Sequence, residues 1–341
     1  MRVLALRAHK APISYILPLP DGNVITSDQS GTVIKWSLQI KRPILTWTAH
    51  TDSILTILQW GQYIITHSRD STVKIWLEDK LKYEFPVNAL NFSNVVLFQD
   101  RYLITPATTD SNNIDIYRLN NDPSITREVA NFSPYDLIHT LKFDDIEGRK
   151  DFGIIMKMLI IGNVVYIGYE SGDIVGLEIT IPQPSITQDA TSTLLINRDI
   201  KLSLYYHNSF HVPNPIISMA SLDNTLVSGS TGKKVLIHTD PVKVCKLTNS
   251  GVQSIVPYKE STIVGFWNGV IELGNETIER ALPHLDAEDM ETIVKLTYMC
   301  MRPGPASRDV VKYSTSIKRE KYRDLLLAGY EDGTIVGYTV K

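Results

Sequence analysis

The chain has 341 residues, 43% of them hydrophobic and 21% charged, which is the make-up of an ordinary folded protein and not of a disordered one. Its formal net charge of −3 offers no general attraction for phosphate backbones, so sequence-independent nucleic-acid binding is disfavoured. The two cysteines, Cys245 and Cys300, have no metal-ligand spacing, which argues against a disulfide-stapled scaffold and for a reducing compartment.

In chain order, residues 2–6 form a short apolar strand cut off at Arg7, too brief for the core of a signal peptide. A first unit starts at His9 and reads as three strands, 13–17, 23–27 and 32–36, the last ending on Trp36. The second unit is the best formed. His50 precedes strands at 53–59, 63–67 and 72–76, and the turn Ser68-Arg69-Asp70 joins the last two.

This spacing resembles the WD40 repeat, with Ala49-His50 where Gly-His is usual and Trp76-Leu77 where Trp-Asp is usual. The resemblance implies a structural hydrogen-bond relay in which Asp70 accepts from His50, His50 meets Ser68, and Ser68 meets the indole N–H of Trp76. Such a relay satisfies polar groups that would be costly to bury alone.

Further units follow at the same spacing. The third has strands at 89–98, 102–106 and 114–119, with Tyr117 at the tryptophan position. The fourth has 153–161, 164–169 and 173–179. Its first two strands make the most apolar stretch of the chain, but Lys157, Gly162 and Asn163 mark strand, turn, strand, and no segment reads as a membrane-spanning helix. Residues 204–210 form an outer strand, on which His207 and His211 would stand roughly 13 Å apart, too far to share a metal. The fifth unit has 216–221, 225–229 and 234–239, with His238 in place of tryptophan. The sixth has 252–258, 262–266 and 270–273, and the seventh 294–301, 325–330 and 334–340.

A second repeat supports this division. Gly168-Tyr169-Glu170-Ser171-Gly172-Asp173-Ile174-Val175-Gly176 recurs as Gly329-Tyr330-Glu331-Asp332-Gly333-Thr334-Ile335-Val336-Gly337, and more weakly from Gly265 to Ile271. Its glycines read as turn residues; a phosphate-binding loop would need a following helix. The expected fold is a single all-β domain over residues 1–341, a seven-bladed WD40 β-propeller whose ring is closed by residues 2–6 as outer strand of the last blade. A six-bladed alternative would merge blades five and six. Only blade two carries the whole signature in this reading, since Ser30 and Ser171 stand where blades one and four would have the turn aspartate.

Three insertions exceed ordinary connections: 131–152, expected on the top face, and 182–201 and 302–323, both expected on the bottom. The last holds the basic run Lys318-Arg319-Glu320-Lys321-Tyr322-Arg323, in which Lys318, Arg319 and Lys321 are candidate contacts for an acidic partner or else a solvated face. Phe266 and Trp267, at a turn of blade six, are candidates for a contact hot spot or for core packing. Catalytic, cofactor and metal constellations are missing from the sequence, and no Gly-x-Ser-x-Gly appears, so the expectation is a non-enzymatic platform without cofactors.

The order of imperfect blades narrows the family. Residues 30–39, then His50 and Ser68-Arg69-Asp70, then 103–106 with 114–119, the Gly168-Tyr169-Glu170-x-Gly172 turn and Val227-Ser228-Gly229-Ser230-x-Gly232-Lys233 are together similar to the ASTRA-associated protein 1 family, whose animal relative is the G-protein β-subunit-like protein. That resemblance implies a monomeric subunit of a hetero-complex, among Tel–Tti co-chaperone subunits, RuvB-like AAA+ ATPases and a giant kinase-like protein. It implies work in chromatin remodelling and in maturation of phosphatidylinositol-3-kinase-related kinases, in the nucleus and also the cytoplasm, without direct nucleic-acid or membrane contact. The competing reading is another WD40 adaptor, such as a ubiquitin-ligase substrate receptor or a trafficking subunit.

Overall fold

The computed structural model describes residues 2–90, 92–142, 151–182, 200–274, 276–280, 294–304 and 324–340. After β1 (Arg2–Arg7), the chain forms successive four-stranded antiparallel meanders. Blade one is β2 (Ile13–Pro18), β3 (Val24–Asp28), β4 (Thr32–Ser37) and β5 (Arg42–Thr48). Blade two is β6 (Ile54–Trp60), β7 (Tyr63–Ser68), β8 (Thr72–Leu77) and β9 (Lys80–Pro86). Blade three is β10 (Val96–Phe98), β11 (Tyr102–Pro106), β12 (Ile114–Leu119) and β13 (Ile125–Phe132), and is followed by helix α1 (Pro134–Lys142). Blade four is β14 (Ile155–Ile161), β15 (Val164–Tyr169), β16 (Ile174–Thr180) and β17 (Lys201–Asn208). Blade five is β18 (Ile216–Leu222), β19 (Thr225–Ser230), β20 (Lys234–Ile237) and β21 (Lys243–Lys246). Blade six is β22 (Val252–Tyr258), β23 (Ser261–Phe266), β24 (Ile271–Leu273) and β25 (Glu276–Ile278). Blade seven is β26 (Leu296–Arg302), β27 (Leu325–Tyr330) and β28 (Thr334–Thr339), completed by β1.

The fold class is therefore the seven-bladed β-propeller, with blades five and six as separate sheets. The N-terminal strand joins the last blade as expected: Leu6 stands opposite Ile335 and Arg7 opposite Thr334. Residue chemistry explains the layering within a blade. Second strands such as β3, β11 and β27 are buried along their whole length and are written in apolar or small residues. Fourth strands such as β5 and β9 are mostly exposed and carry Arg, Lys and Thr.

Two compact units emerge from the contacts, one of residues up to Ala89 with those from Ile217 on, the other Leu90–Ile216. In the first, Leu6, Ile13, Ile16, Ile34, Trp36 and Ile335 form one core cluster. Val33, Ile54, Ile57 and Trp76 form another. In the second unit, Phe98, Ile104, Ile155, Met158, Ile167 and Val175 pack together. Each such fully buried aliphatic side chain contributes roughly 1.5–3 kcal/mol.

Four glycines show how one blade seats on the next. A Cβ on Gly329 would lie 2.5 Å from Ile13, on Gly229 2.5 Å from Val252, on Gly265 2.3 Å from Leu296, and on Gly168 2.5 Å from Ile216. In each case the glycine lies in the second strand of a blade and the intruding side chain lies at the start of the following blade's first strand. Gly168, Gly265 and Gly329, read above as turn residues, are thus strand sockets that let a neighbour's side chain reach the backbone. Their partners in the repeat, Gly172, Gly269 and Gly333, do sit in the turns, with φ of +94°, +88° and +74°.

Three expectations need correction. Blade three's first strand begins at Val96 and not near residue 89, because Asn94 uses its side chain where a strand would use its backbone. Its amide donates to the Met158 carbonyl at 2.9 Å, and its carboxamide oxygen accepts from the Met158 N–H at 2.9 Å. The insertion 131–152 is not simply a loop but holds α1. Ser133 caps that helix, accepting from the Asp136 N–H at 3.1 Å, Pro134 takes the first turn, and Asp136 favours the positive end of the helix dipole. Inward-facing Ile138 is buried, and Tyr135 packs edge-on to Phe152 with centroids 5.1 Å apart. The outer strand of blade four runs from Lys201 to Asn208, so His211 lies beyond it. Most of the insertions at 182–201 and 302–323 lie outside the described residues.

Candidate functional site

Blade two's polar relay is built on β7 and β8. Residues 64, 66 and 68 of β7 share one face with Trp76, which stands opposite Ile64. Thr66 is the diagonal neighbour of Trp76, while Ser68 lies one pleat farther on, by roughly 6.6 Å. The indole N–H of Trp76 therefore donates to Thr66 Oγ1 at 2.8 Å, and Thr66 Oγ1 lies 2.7 Å from His50 Nε2. His50 Nδ1 is 2.9 Å from Asp70 Oδ2.

The directions follow from the end groups. An indole can only donate and a carboxylate can only accept, so with a neutral imidazole the protons run from Trp76 to Thr66, from Thr66 to Nε2, and from Nδ1 to Asp70. Ser68, expected in the relay, is displaced by Thr66. Its hydroxyl serves the backbone instead, donating to the carbonyls of Asp52 and Ser53 at 3.0 Å and accepting from the Asp70 N–H at 3.2 Å. Burial alone would raise the Asp70 carboxyl, but hydrogen bonds from His50 and Thr72 outweigh it and hold Asp70 well below the usual carboxylate range.

Blade one has the same relay, which the sequence reading missed. Trp36 Nε1–H donates to Thr26 Oγ1 at 2.7 Å, Thr26 meets His9 Nε2 at 2.7 Å, and His9 Nδ1 meets Asp28 Oδ2 at 2.7 Å. Here aspartate and serine have exchanged places across the turn: Asp28-Gln29-Ser30 stands against Ser68-Arg69-Asp70. Ser30 does not replace the carboxylate but donates to it, at 2.6 Å, and the Thr32 N–H adds a bond at 3.1 Å. Burial opposes ionisation of Asp28, and His9 and Ser30 overcome it, lowering its pKa.

Other blades keep a carboxylate at the same end and change its partner. In blade three the buried Asp115 takes a forked bond from Arg127 at 2.7 and 2.6 Å, the Asn131 N–H at 2.7 Å, and the Tyr117 hydroxyl at 3.1 Å. In blade four it is Asp173 that accepts, from Ser171 and Ser209 at 2.6 Å, with His207 Nε2 at 3.1 Å. In blade seven Arg280 forks onto Asp332 while lying 4.7 Å from the Tyr330 ring centre. Blade five has Ser228 paired at 2.7 Å with His238. That pair keeps the ten-residue spacing of Thr26 to Trp36 and Thr66 to Trp76.

These groups bond to one another within their blades. Burial pushes His67 down to about 3 and His238 down to about 4, so both imidazoles are neutral at pH 7. It also drives the Cys300 thiol far up, which leaves it a poor nucleophile. Among the described residues, no three His, Cys, Asp or Glu side chains come together in a way that could hold a metal ion.

The candidate contact residues separate. Phe266 is 0% exposed and belongs to the core with Val227, Val252 and Val264. Trp267 is 45% exposed at the β23–β24 turn. Its indole lies against Gly251, where a Cβ would approach it to 2.5 Å, and the Trp267 backbone N–H donates to the Gly251 carbonyl at 3.0 Å. Trp267 is thus held in place while presenting a large aromatic face to solvent. Lys318, Arg319 and Lys321 lie outside the described residues. A further exposed apolar group, which the sequence reading did not single out, comprises Tyr205, Phe210 and Val212 at the end of blade four, each close to half exposed or more.

Comparison with known proteins places this architecture in a lineage. A solved structure of Sqt1 from Saccharomyces cerevisiae is 11% identical and covers 99% of this chain and 98% of its own, with a TM-score of 0.61. The computationally designed protein Ika8 gives a TM-score of 0.58 at 11% identity, with 99% of each chain covered. At these identities the likeness speaks for the fold alone. The sequence profile described as ASTRA-associated protein 1 matches residues 2–338. ASTRA-associated protein 1 of Lodderomyces elongisporus is 47% identical, covering 98% of this chain and 97% of the relative. The Candida tropicalis protein of the same name is 44% identical, with 98% of each covered. With its family profile matched from the first strand to the last, the chain belongs to the ASTRA-associated protein 1 family.

Proposed function

We propose that this protein is a non-catalytic scaffold subunit of the ASTRA assembly. The observation that carries the reading is the family match over residues 2–338, on a propeller whose polar clusters are spent on internal relays. Propellers of this family are of a scaffold type, and rigid blades with a fixed, half-exposed Trp267 suit recognition of other proteins. In this role the chain stands with Tel–Tti co-chaperone subunits, RuvB-like AAA+ ATPases and a giant kinase-like subunit. It acts in chromatin remodelling and in maturation of phosphatidylinositol-3-kinase-related kinases, from the nucleus.

The test is affinity purification of the tagged full chain with mass spectrometry, together with imaging of a fluorescent fusion. Recovery of Tel–Tti proteins and nuclear signal are the expected results. Recovery of a cullin adaptor or a vesicle-coat complex in their place would overturn the proposal. Trp267→Ala should reduce recovery of at least one partner by about tenfold while leaving the melting temperature within about 2 °C of the parent.

A further inference from the structure

Three arginines have a carboxylate partner within the fold. Arg118 holds Glu128, Arg127 holds Asp115, and Arg280 holds Asp332. Arg2, Arg7 and Arg42 have no carboxylate within ion-pair distance among the described residues. All three line one cleft of about 550 Å³, together with Lys41, Ala5, Pro43 and Trp36.

The cleft lies between the edge strand of blade seven and the β4–β5 hairpin of blade one. Lys41 ties its two sides together, donating to the Val3 carbonyl at 3.4 Å. No acidic residue contributes to the lining, although the chain as a whole carries a net charge of −3. A concentration of positive charge on a net-negative protein is a local field, and field lines converge in a concave site. Its neighbours in sequence are Ile40 and Ile44, 59% and 49% exposed. Cations alone would be explained by edge protection, since charged residues on β1 and β5 discourage sheet-to-sheet pairing. Edge protection does not account for two large aliphatic side chains left exposed beside those cations.

We infer that this cleft docks an acidic segment of a partner protein. Carboxylates of the segment meet Arg2, Arg7, Lys41 and Arg42, and its apolar side chains cover Ile40 and Ile44. The volume falls within the range of about 300–1,000 Å³ usual for ligand sites, but the opening is broad and the rim is cationic, which suits a length of chain laid along it. Arginine is well matched to this task because its planar fork grips a carboxylate with two hydrogen bonds. The inference stands on the cleft itself, whichever assembly the chain joins.

The experiment is fluorescence anisotropy on the full chain with a labelled peptide of alternating Glu and Leu. Controls are the same peptide with Gln for every Glu, and a labelled single-stranded RNA of similar length. The Glu–Leu peptide should bind, should weaken steeply as salt rises from about 0.05 to 0.3 M, and should lose about tenfold in affinity with Arg42→Glu or Arg7→Glu. Arg42→Gln, a milder change on an exposed edge, guards against loss of folding and should still weaken binding severalfold. Equal affinity for the Glu and Gln peptides would overturn the inference. So would unchanged binding in all three variants, or tighter binding of RNA than of the acidic peptide.

Discussion

Replacing Thr66 by Val tests the relay at the atom on which it turns. The substitution keeps shape and exchanges a hydroxyl for a methyl. Trp76 Nε1–H, 2.8 Å from that oxygen, and His50 Nε2, 2.7 Å from it, would both face the methyl group. Trp76 is only 6% exposed and His50 only 1%, so water is poorly placed to replace the lost partner. Leaving one buried polar group unsatisfied costs about 1–3 kcal/mol, so the pair should cost about 2–6 kcal/mol. Ser68→Ala removes a hydroxyl from the same strand, but Ser53's carbonyl keeps the Arg69 N–H at 3.0 Å, and the expected loss is about 0.5–1.5 kcal/mol. Urea denaturation followed by tryptophan fluorescence reads both, with unchanged slopes required for the comparison. If Ser68→Ala proves as damaging as Thr66→Val, the assignment of Thr66 as the linking hydroxyl is wrong.

Two other tests address closure and acidity. Removing residues 1–7 takes away the strand that carries Leu4 and Leu6, 5% and 1% exposed, and should lower stability by about 3–6 kcal/mol; normal melting of the truncated chain would contradict the pairing of β1 with β28. His238 is depressed from 6.5 to about 4 by burial, so the unfolded chain binds its proton first as pH falls. The stability this histidine contributes is complete above pH 6.5 and is lost between 6.5 and about 4, and His238→Gln should flatten the denaturation midpoint over that window. An unchanged slope in the variant would show that His238 is not held neutral by the fold.

Much of this architecture was legible because strand spacing is local chemistry. Alternating apolar residues and turn residues located most second and third strands within a residue of their observed ends, as at 102–106, 164–169 and 325–330. The relays were less legible because a hydrogen-bond network constrains distances and not columns. Asp28 and Asp70 stand at different positions relative to their turns yet reach equivalent histidines, so a reading that fixes the aspartate's position finds one relay and misses the other. Helix α1 was signalled by Ser133-Pro134-Tyr135-Asp136, a cap, a first-turn proline and an acid, but lay within a stretch already assigned to insertion. Phe266 and Trp267 could not both be exposed, since adjacent residues at a strand end take opposite sides; which one faces solvent depended on the neighbour at Gly251. The cationic cleft depended on bringing Arg2 beside Arg42, which only the closure of the last blade achieves.

That closure has a consequence for how the protein is made. Among the described strands, β1 is made before all the others and its partner β28 after them. At about 5–20 residues per second, the stretch between Arg2 and Tyr338 takes roughly 20–70 s to synthesise. Throughout that interval Leu4 and Leu6 have no sheet to join, and blades one and two can assemble while the segment that must complete blade seven waits. The nascent chain therefore passes through a state in which this apolar strand lacks its sheet, one suited to holding by a chaperone until β28 has been made.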